Sequence, residues 1–201
     1  LSWYADLDRK AARAKVEKEF GIPKEAPLVG MAANMRRVKG ADLLLKALMR
    51  LPENVHGLFI GEVRDPELPK LAADPRLAGR VHFTGFRSNA PYLIGALDIN
   101  VAPSRGREGL TKTVIEGMVQ GVPAVVARAG GLPEMVEPVN HGLTIRINDS
   151  IGLSQKINWL LETPGQLIEL GEKSKATVVS MFSITSTINS MKNLYKELTQ
   201  A

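Results

Sequence analysis

Apolar residues recur along this chain with two different periods, and the alternation between them sets out its elements. Residues 8–20 place Ala11, Ala12, Val16 and Phe20 at helical spacing, and Gly21-Ile22-Pro23 ends the run. After Pro27, Leu28-Val29-Gly30-Met31-Ala32-Ala33 is short and almost wholly apolar, which predicts a buried strand. A polar loop covers 34–40. A helix follows over 41–51, with an apolar face of Leu43, Leu44, Ala47, Leu48 and Leu51. The pattern then gives a strand at 55–60 closed by Gly61, a helix at 66–73, a strand at 81–84 closed by Gly85, a short helix at 90–96 and a strand at 99–102. Fifth and sixth strands are predicted at 124–127 and 143–147. The remainder reads as helices over 151–161, 164–181 and 183–198.

Strands alternating with helices at this spacing imply parallel βαβ units, and all-apolar strands imply a sheet covered on both faces. The expected architecture is α/β: a doubly wound, Rossmann-like domain of about six parallel strands with a helical C-terminus, filling residues 1–201 as one unit. Such sheets bind ligands at the carboxyl ends of their strands. The loops after the strands carry Arg36, Arg37, Lys39, Arg64, Arg87, Arg105, Arg107, Lys112 and Arg128. This basic rim suits an anionic nucleotide.

The stretch 103–134 concentrates the candidate chemistry. It reads as a strand end, a charged loop, a helix, a buried strand and a Gly130-Gly131 turn into another helix. Gly109, Leu110 and Thr111 are expected to form the helix N-terminus, where unpaired N–H groups and a partial positive charge suit a phosphate. Glu108 precedes that helix and Glu116 lies within it. With a start near Leu110, the two carboxylates stand roughly 8–12 Å apart. That matches the span from a sugar ring to a ribose across a diphosphate, so each acid can bind hydroxyls at one end of a nucleotide sugar.

Composition narrows the alternatives. Hydrophobic residues at 44% and charged residues at 23% suit a packed core and exclude a disordered chain. The absence of cysteine excludes a disulfide framework and a thiolate metal site, and fits a reducing compartment. His56, His82 and His141 show no ligand spacing, and the two in strand-like runs are assigned to structure. No apolar run reaches the length of a membrane span. The first residues, Leu1-Ser2-Trp3-Tyr4-Ala5-Asp6, are neither a signal peptide nor a start methionine, so a longer protein is expected. The net charge of +5 favours anionic partners, but the basic residues are dispersed and mark no nucleic-acid surface. No G-x-G-x-x-G follows the first strand and no Walker sequence occurs, so the dehydrogenase and P-loop readings lose their main support.

Four segments, in order and on the expected loops, carry a family resemblance. They are Met35-Arg36-Arg37-Val38-Lys39-Gly40 with its Leu-rich helix; Arg80 to Phe86; Ala102-Pro103-Ser104 through Glu108-Gly109 to Ile115-Glu116-Gly117-Met118 and Gly121-Val122-Pro123; and Gly130-Gly131-Leu132-Pro133-Glu134. Nearly the whole chain resembles the C-terminal, donor-binding domain of retaining GT-B glycosyltransferases of the glycosyl transferases group 1 family. The resemblance implies that Glu108 binds donor-sugar hydroxyls, that backbone groups of Gly109, Leu110 and Thr111 hold the distal phosphate, and that Glu116 accepts from the ribose. It further implies that Lys39 neutralises the diphosphate and that Arg87 lies near the base. The family commonly has arginine where this chain has Asn34, which leaves the second phosphate cation to Arg36 or Arg37, and often has alanine at Gly117.

The function implied is sugar transfer from a nucleotide diphosphate donor, UDP or GDP, with retention at the anomeric carbon. It needs no metal and no cofactor. The resemblance also implies partners absent from this chain: an N-terminal acceptor domain, met by the C-terminal helix over 183–201, and a lipid-linked glycan acceptor in polysaccharide or lipopolysaccharide synthesis. The corresponding location is cytoplasmic, at the inner face of a membrane. A nucleotide-sugar epimerase and a non-catalytic nucleotide-binding module are the alternative readings on the same fold.

Overall fold

The computed structural model describes residues 7–140 and 143–200, so His141 and the first six residues lie outside it. In chain order the elements are α1 (Arg9–Phe20), β1 (Leu28–Ala32), α2 (Ala41–Leu48), β2 (His56–Ile60), α3 (Glu67–Ala72), β3 (Val81–Phe83), α4 (Ala90–Gly95) and β4 (Ile99–Ala102). Then come α5 (Lys112–Val119), β5 (Ala124–Ala127), α6 (Leu132–Val136), β6 (Thr144–Ile145), α7 (Ser150–Glu162), α8 (Pro164–Met181) and α9 (Ile184–Gln200). Short 3₁₀ turns occupy Arg37–Lys39 and Pro75–Leu77.

Among the described residues, six strands form one parallel sheet in the order β3-β2-β1-β4-β5-β6. This is the doubly wound order. The chain reverses its direction of winding between β1 and β4, where Val29 pairs Ile99 and Gly30 pairs Asn100. The loops that follow those two strands therefore diverge and leave a crevice. Side chains alternate across the sheet: Phe59 joins the core with Leu44, Leu45, Leu48, Leu153 and Ile157, while Leu58 and Ile60 join Val16, Leu93, Ile94 and Leu97 on the other face. Burial on both faces is why the strands read as continuous apolar runs.

At the amino ends of the strands α1 is fastened by two arginines. Arg9 donates to the carbonyls of Gly95, Leu97 and Gly121, at 3.0, 2.9 and 3.2 Å. Arg13 bonds the Ala96 and Ala26 carbonyls and pairs with Asp98 at 3.1 Å. The bonds to Gly95, Ala96, Leu97 and Gly121 satisfy carbonyls at and just past the ends of α4 and α5, which have no helical partner there.

His56 of β2 and His82 of β3 stack at 5.4 Å between ring centroids, with Nδ1 and Nε2 3.1 Å apart. One ring must donate and the other accept, which a doubly protonated pair cannot do. Burial pushes both imidazoles below the usual histidine range; Arg80 and Arg13 add to this at His56, and His56 adds to it at His82. Their folded values thus lie below their unfolded ones. The stabilisation is present above about pH 6.5 and is lost as pH falls through the folded values. The midpoint of urea unfolding should therefore drop less between pH 7.5 and pH 5 in His82→Phe than in the parent chain. An equal drop would remove the pair as its cause.

Candidate functional site

The crevice at the switch point is built by backbone packing between loops. Gly40, with φ +74°, lies so close to Pro103 that a Cβ would run into the Pro103 carbonyl oxygen. Arg105 N donates to the Val38 carbonyl at 2.8 Å. The Arg105 guanidinium is bidentate on Asp42, at 2.6 and 2.7 Å, and reaches the Arg37 carbonyl at 2.8 Å. A two-pronged guanidinium–carboxylate contact fixes orientation as well as distance. The loop after β1 and the loop after β4 are thereby held as one body.

A third loop supports the second. Gly130, with φ +58°, lies directly under Glu108, where a Cβ would strike the Glu108 backbone. Gly131 N donates to the Glu108 carbonyl at 2.8 Å. Two motifs far apart in sequence, around Glu108 and around Gly130-Gly131, are thus one structure.

Lys39 and Glu108 meet across the crevice, Nζ to Oε1 at 2.7 Å, both partly buried. Beside them lies a cavity of about 250 Å³ lined by Met31, Ala33, Asn34, Lys39, Ser104, Thr111, Lys112 and Thr113. A second cavity, of about 430 Å³, shares Ala32, Ala33, Asn34 and Thr113 with it and continues to Ile60, Gly61, Glu62, Phe86 and Arg87. Together they make an elongated trough along the carboxyl ends of β1, β2 and β4. Phe86, 75% exposed, stands at its outer end. Thr111, extended at φ −85° and ψ 113°, is the N-cap of α5, yet its side chain does not cap the helix. Its hydroxyl is buried with no hydrogen-bond partner. Lysines from two sides, a helix N-terminus and an orphan hydroxyl converge here, which is the chemistry that holds a phosphate.

The structure assembles some of the predicted residues and separates others. Lys39, Glu108 and Thr111 come together. Gly109 has open space where a Cβ would stand, and Leu110 is exposed before the helix rather than in it. The helix begins at Lys112, two residues later than predicted. Glu116 is consequently about 6 Å along the axis from its first residue, little more than one turn. Glu116 is only 4% exposed, faces Lys112 at 3.4 Å, and lines neither cavity of the trough. Arg36 is exposed and lines neither cavity, and Arg37 turns to a separate hollow with Lys46 and Lys70. Arg87 does line the outer cavity, but its guanidinium pairs with Glu19 and donates to the Thr84 carbonyl at 3.2 Å. The second cation in the inner cavity is Lys112, whose placement at the first helical position depends on where the helix starts.

A larger hollow, about 720 Å³, lies at the opposite end of the sheet between α1 and Asp98. Its arginines are spent on the carbonyls and carboxylate described above, and its lysines, Lys10 and Lys24, stand on exposed positions beside Glu17 and Glu25.

Comparison with known proteins bears on this site. The sequence profile of the glycosyl transferases group 1 family matches residues 26–163. Over 176 residues the chain is 31% identical to the lipopolysaccharide core biosynthesis glycosyltransferase LpsE of Rhizobium meliloti, covering 85% of this chain and 49% of that protein. Crystal structures of Anabaena Alr3699/HepE in complex with UDP and with UDP-glucose superpose at TM-scores of 0.82 and 0.81, with 26% identity over 95% of this chain and 53% of theirs. The C-terminal domain of a glycosyl transferase group 1 protein (LpcC) from Francisella tularensis shares the fold at a TM-score of 0.74 and 21% identity, covering 86% of this chain and 93% of that one. The chain spans about half the length of the curated relatives it matches. On the match of 26–163, which takes in the β1 loop, the Glu108 loop and the Gly130-Gly131 turn, the chain belongs to the glycosyl transferases group 1 family.

Proposed function

We propose that this chain is the donor-binding half of a retaining glycosyltransferase of GT-B architecture, holding a nucleoside diphosphate sugar in the trough at the switch point. The observation that carries the reading is the Lys39–Glu108 contact beside the N-terminus of α5 and the unpartnered Thr111 hydroxyl. Lys39, Lys112 and the first-turn amides of α5 hold the diphosphate, and the Thr111 hydroxyl donates to it. Glu108 turns to the sugar hydroxyls and Phe86 with Arg87 flanks the base. The complexes of Anabaena HepE with UDP and UDP-glucose support uridine as the nucleoside.

Charge builds on the departing diphosphate as its bond to the anomeric carbon breaks. Fixed cations stabilise that charge without having to reorganise, and no metal is required. Lys39 and Glu108 pair with each other at 2.7 Å, so donor binding replaces one ion pair with two sets of contacts. Glu116, one turn into α5 and 3.4 Å from Lys112, accepts from the ribose hydroxyls of the bound donor.

The acceptor side belongs to an N-terminal half. The last helix carries Ile184, Ile188, Met191, Leu194, Tyr195 and Leu198 exposed at helical spacing, and that apolar face is the surface such a half would cover. A lipid-linked glycan at the cytoplasmic face of a membrane, in lipopolysaccharide or polysaccharide synthesis, fits the named relatives. The 201-residue chain is expected to bind donor and to transfer no sugar; sustained turnover by this chain alone would contradict the division of labour.

Calorimetric titration tests the assignments. Lys39→Ala and Lys112→Ala should each weaken UDP binding by about tenfold, or ~1.4 kcal/mol. Glu108→Gln releases Lys39 and should leave UDP affinity unchanged or tighter, while removing the advantage of UDP-glucose over UDP. Loss of UDP affinity in Glu108→Gln would reverse the assignment of sugar end and phosphate end. Gly130→Ala adds a side chain where φ is positive and the Glu108 backbone fills the space, at a cost to stability of about 2 kcal/mol. It should abolish the same discrimination although residue 130 touches no ligand. Unaltered discrimination in that variant would show that Glu108 does not depend on its seat.

A further inference from the structure

A cavity of about 360 Å³ opens where β5 and β6 end, lined by Arg128, Arg146 and Lys156 together with Thr144, Asp149 and Gln155. Ala127 pairs Ile145 in the strand register, and Arg128 N donates to the Ile145 carbonyl at 2.8 Å. Arg128 and Arg146 are the next residue on each strand, so they leave the sheet side by side. Two guanidinium groups lining one cavity repel each other weakly through water, and an anion held between them turns that repulsion into attraction.

The protein supplies little such charge. Glu137 stands 3.9 Å from Arg128, at the outer limit of an ion pair. Arg146 is exposed, and among the described residues its side chain has neither an ion pair nor a hydrogen bond. Asp149 is the carboxylate on the wall, and its Oδ1 accepts from Gly152 N at 2.7 Å as the N-cap of α7. Lys156 reaches in from the second turn of α7, its ammonium 4.9 Å from the centre of the Trp159 ring. Three cations thus face one carboxylate that is already engaged, with a hydroxyl and an amide beside them.

The cavity shares none of its lining with the donor trough. It is nevertheless braced to it. Arg105 Nε donates to Asn148 Oδ1 at 2.5 Å, tying the loop after β6 to the loop that carries Glu108. Arg128 is two residues from the Gly130 that seats Glu108.

We propose that this cavity is a second anion site, binding the phosphate of a phosphomonoester independently of the donor trough. Bidentate arginines match phosphate oxygens, and Lys156 adds a point charge opposite them. The site does not require the donor reading to be correct.

The test is a titration of the isotopically labelled chain with inorganic phosphate at constant ionic strength, followed through backbone amide resonances. Saturable shifts are expected at Arg128, Arg146, Gly152 and Lys156. They should persist when UDP is present, whereas any phosphate effect at Lys39 and Thr113 should vanish. The double variant Arg128→Gln and Arg146→Gln changes two exposed side chains and should weaken the 128–156 response by about tenfold or more. Shifts that never saturate, or a midpoint unchanged in the double variant, would overturn the site. Failure of UDP to perturb Lys39 and Thr113 would instead strike the donor trough and leave this proposal standing.

Discussion

Everything at the ligand-binding edge depends on how closely three loop backbones approach one another. Gly40 against Pro103 and Gly130 against Glu108 are contacts in which no side chain fits, and both glycines have positive φ. Those approaches bring the loops after β1, β4 and β5 to the switch point as a single rigid edge, and they decide where Lys39 and Glu108 stand. The parallel sheet supplies the crevice. Its glycines give the crevice a shape.

Charge on this edge is allocated more sparingly than its composition implies. Arg105 braces two loops through Asp42, Arg64 pairs with Glu62, and Arg87 pairs with Glu19. Lys39 is held by Glu108 and Lys112 by Glu116. An anion arriving in the trough therefore competes with carboxylates already in place. This favours a ligand that, like a sugar diphosphate, has hydroxyls for the displaced Glu108 as well as phosphates for Lys39. The edge near β6 differs, because its arginines have almost no acids to satisfy them.

The fold was legible because each short strand is apolar throughout and each intervening segment carries one polar face. Strand positions follow from that pattern with no long-range information, whereas the switch point between β1 and β4 is a property of the strand order in the assembled sheet. The site was legible in part. Lys39 and Glu108 lie on loops that the pattern placed at the carboxyl ends of the strands, and the structure brings the two side chains together there. The start of α5 was misplaced although Thr111 is a favoured N-cap residue and the chain is still extended there. Glu116 was expected about two turns into α5 with its carboxylate open to a ligand; it lies one turn in and is buried, because α4 and α8 both pack on that helix, and the contact with α8 joins segments some fifty residues apart. The support of Glu108 by Gly130 and the stacking of His56 on His82 both arise from register between strands, which local periodicity does not encode.

The Lys39–Glu108 pair stands where a nucleotide sugar's diphosphate and sugar hydroxyls would meet the protein. A crystal structure of this chain with UDP-glucose tests this placement most directly. The diphosphate should lie at the N-terminus of α5 within reach of Lys39, Lys112 and the Thr111 hydroxyl, with the Lys39–Glu108 contact opened and Glu108 on the glucose hydroxyls. A nucleotide bound elsewhere, or bound here with that ion pair still intact, would contradict it.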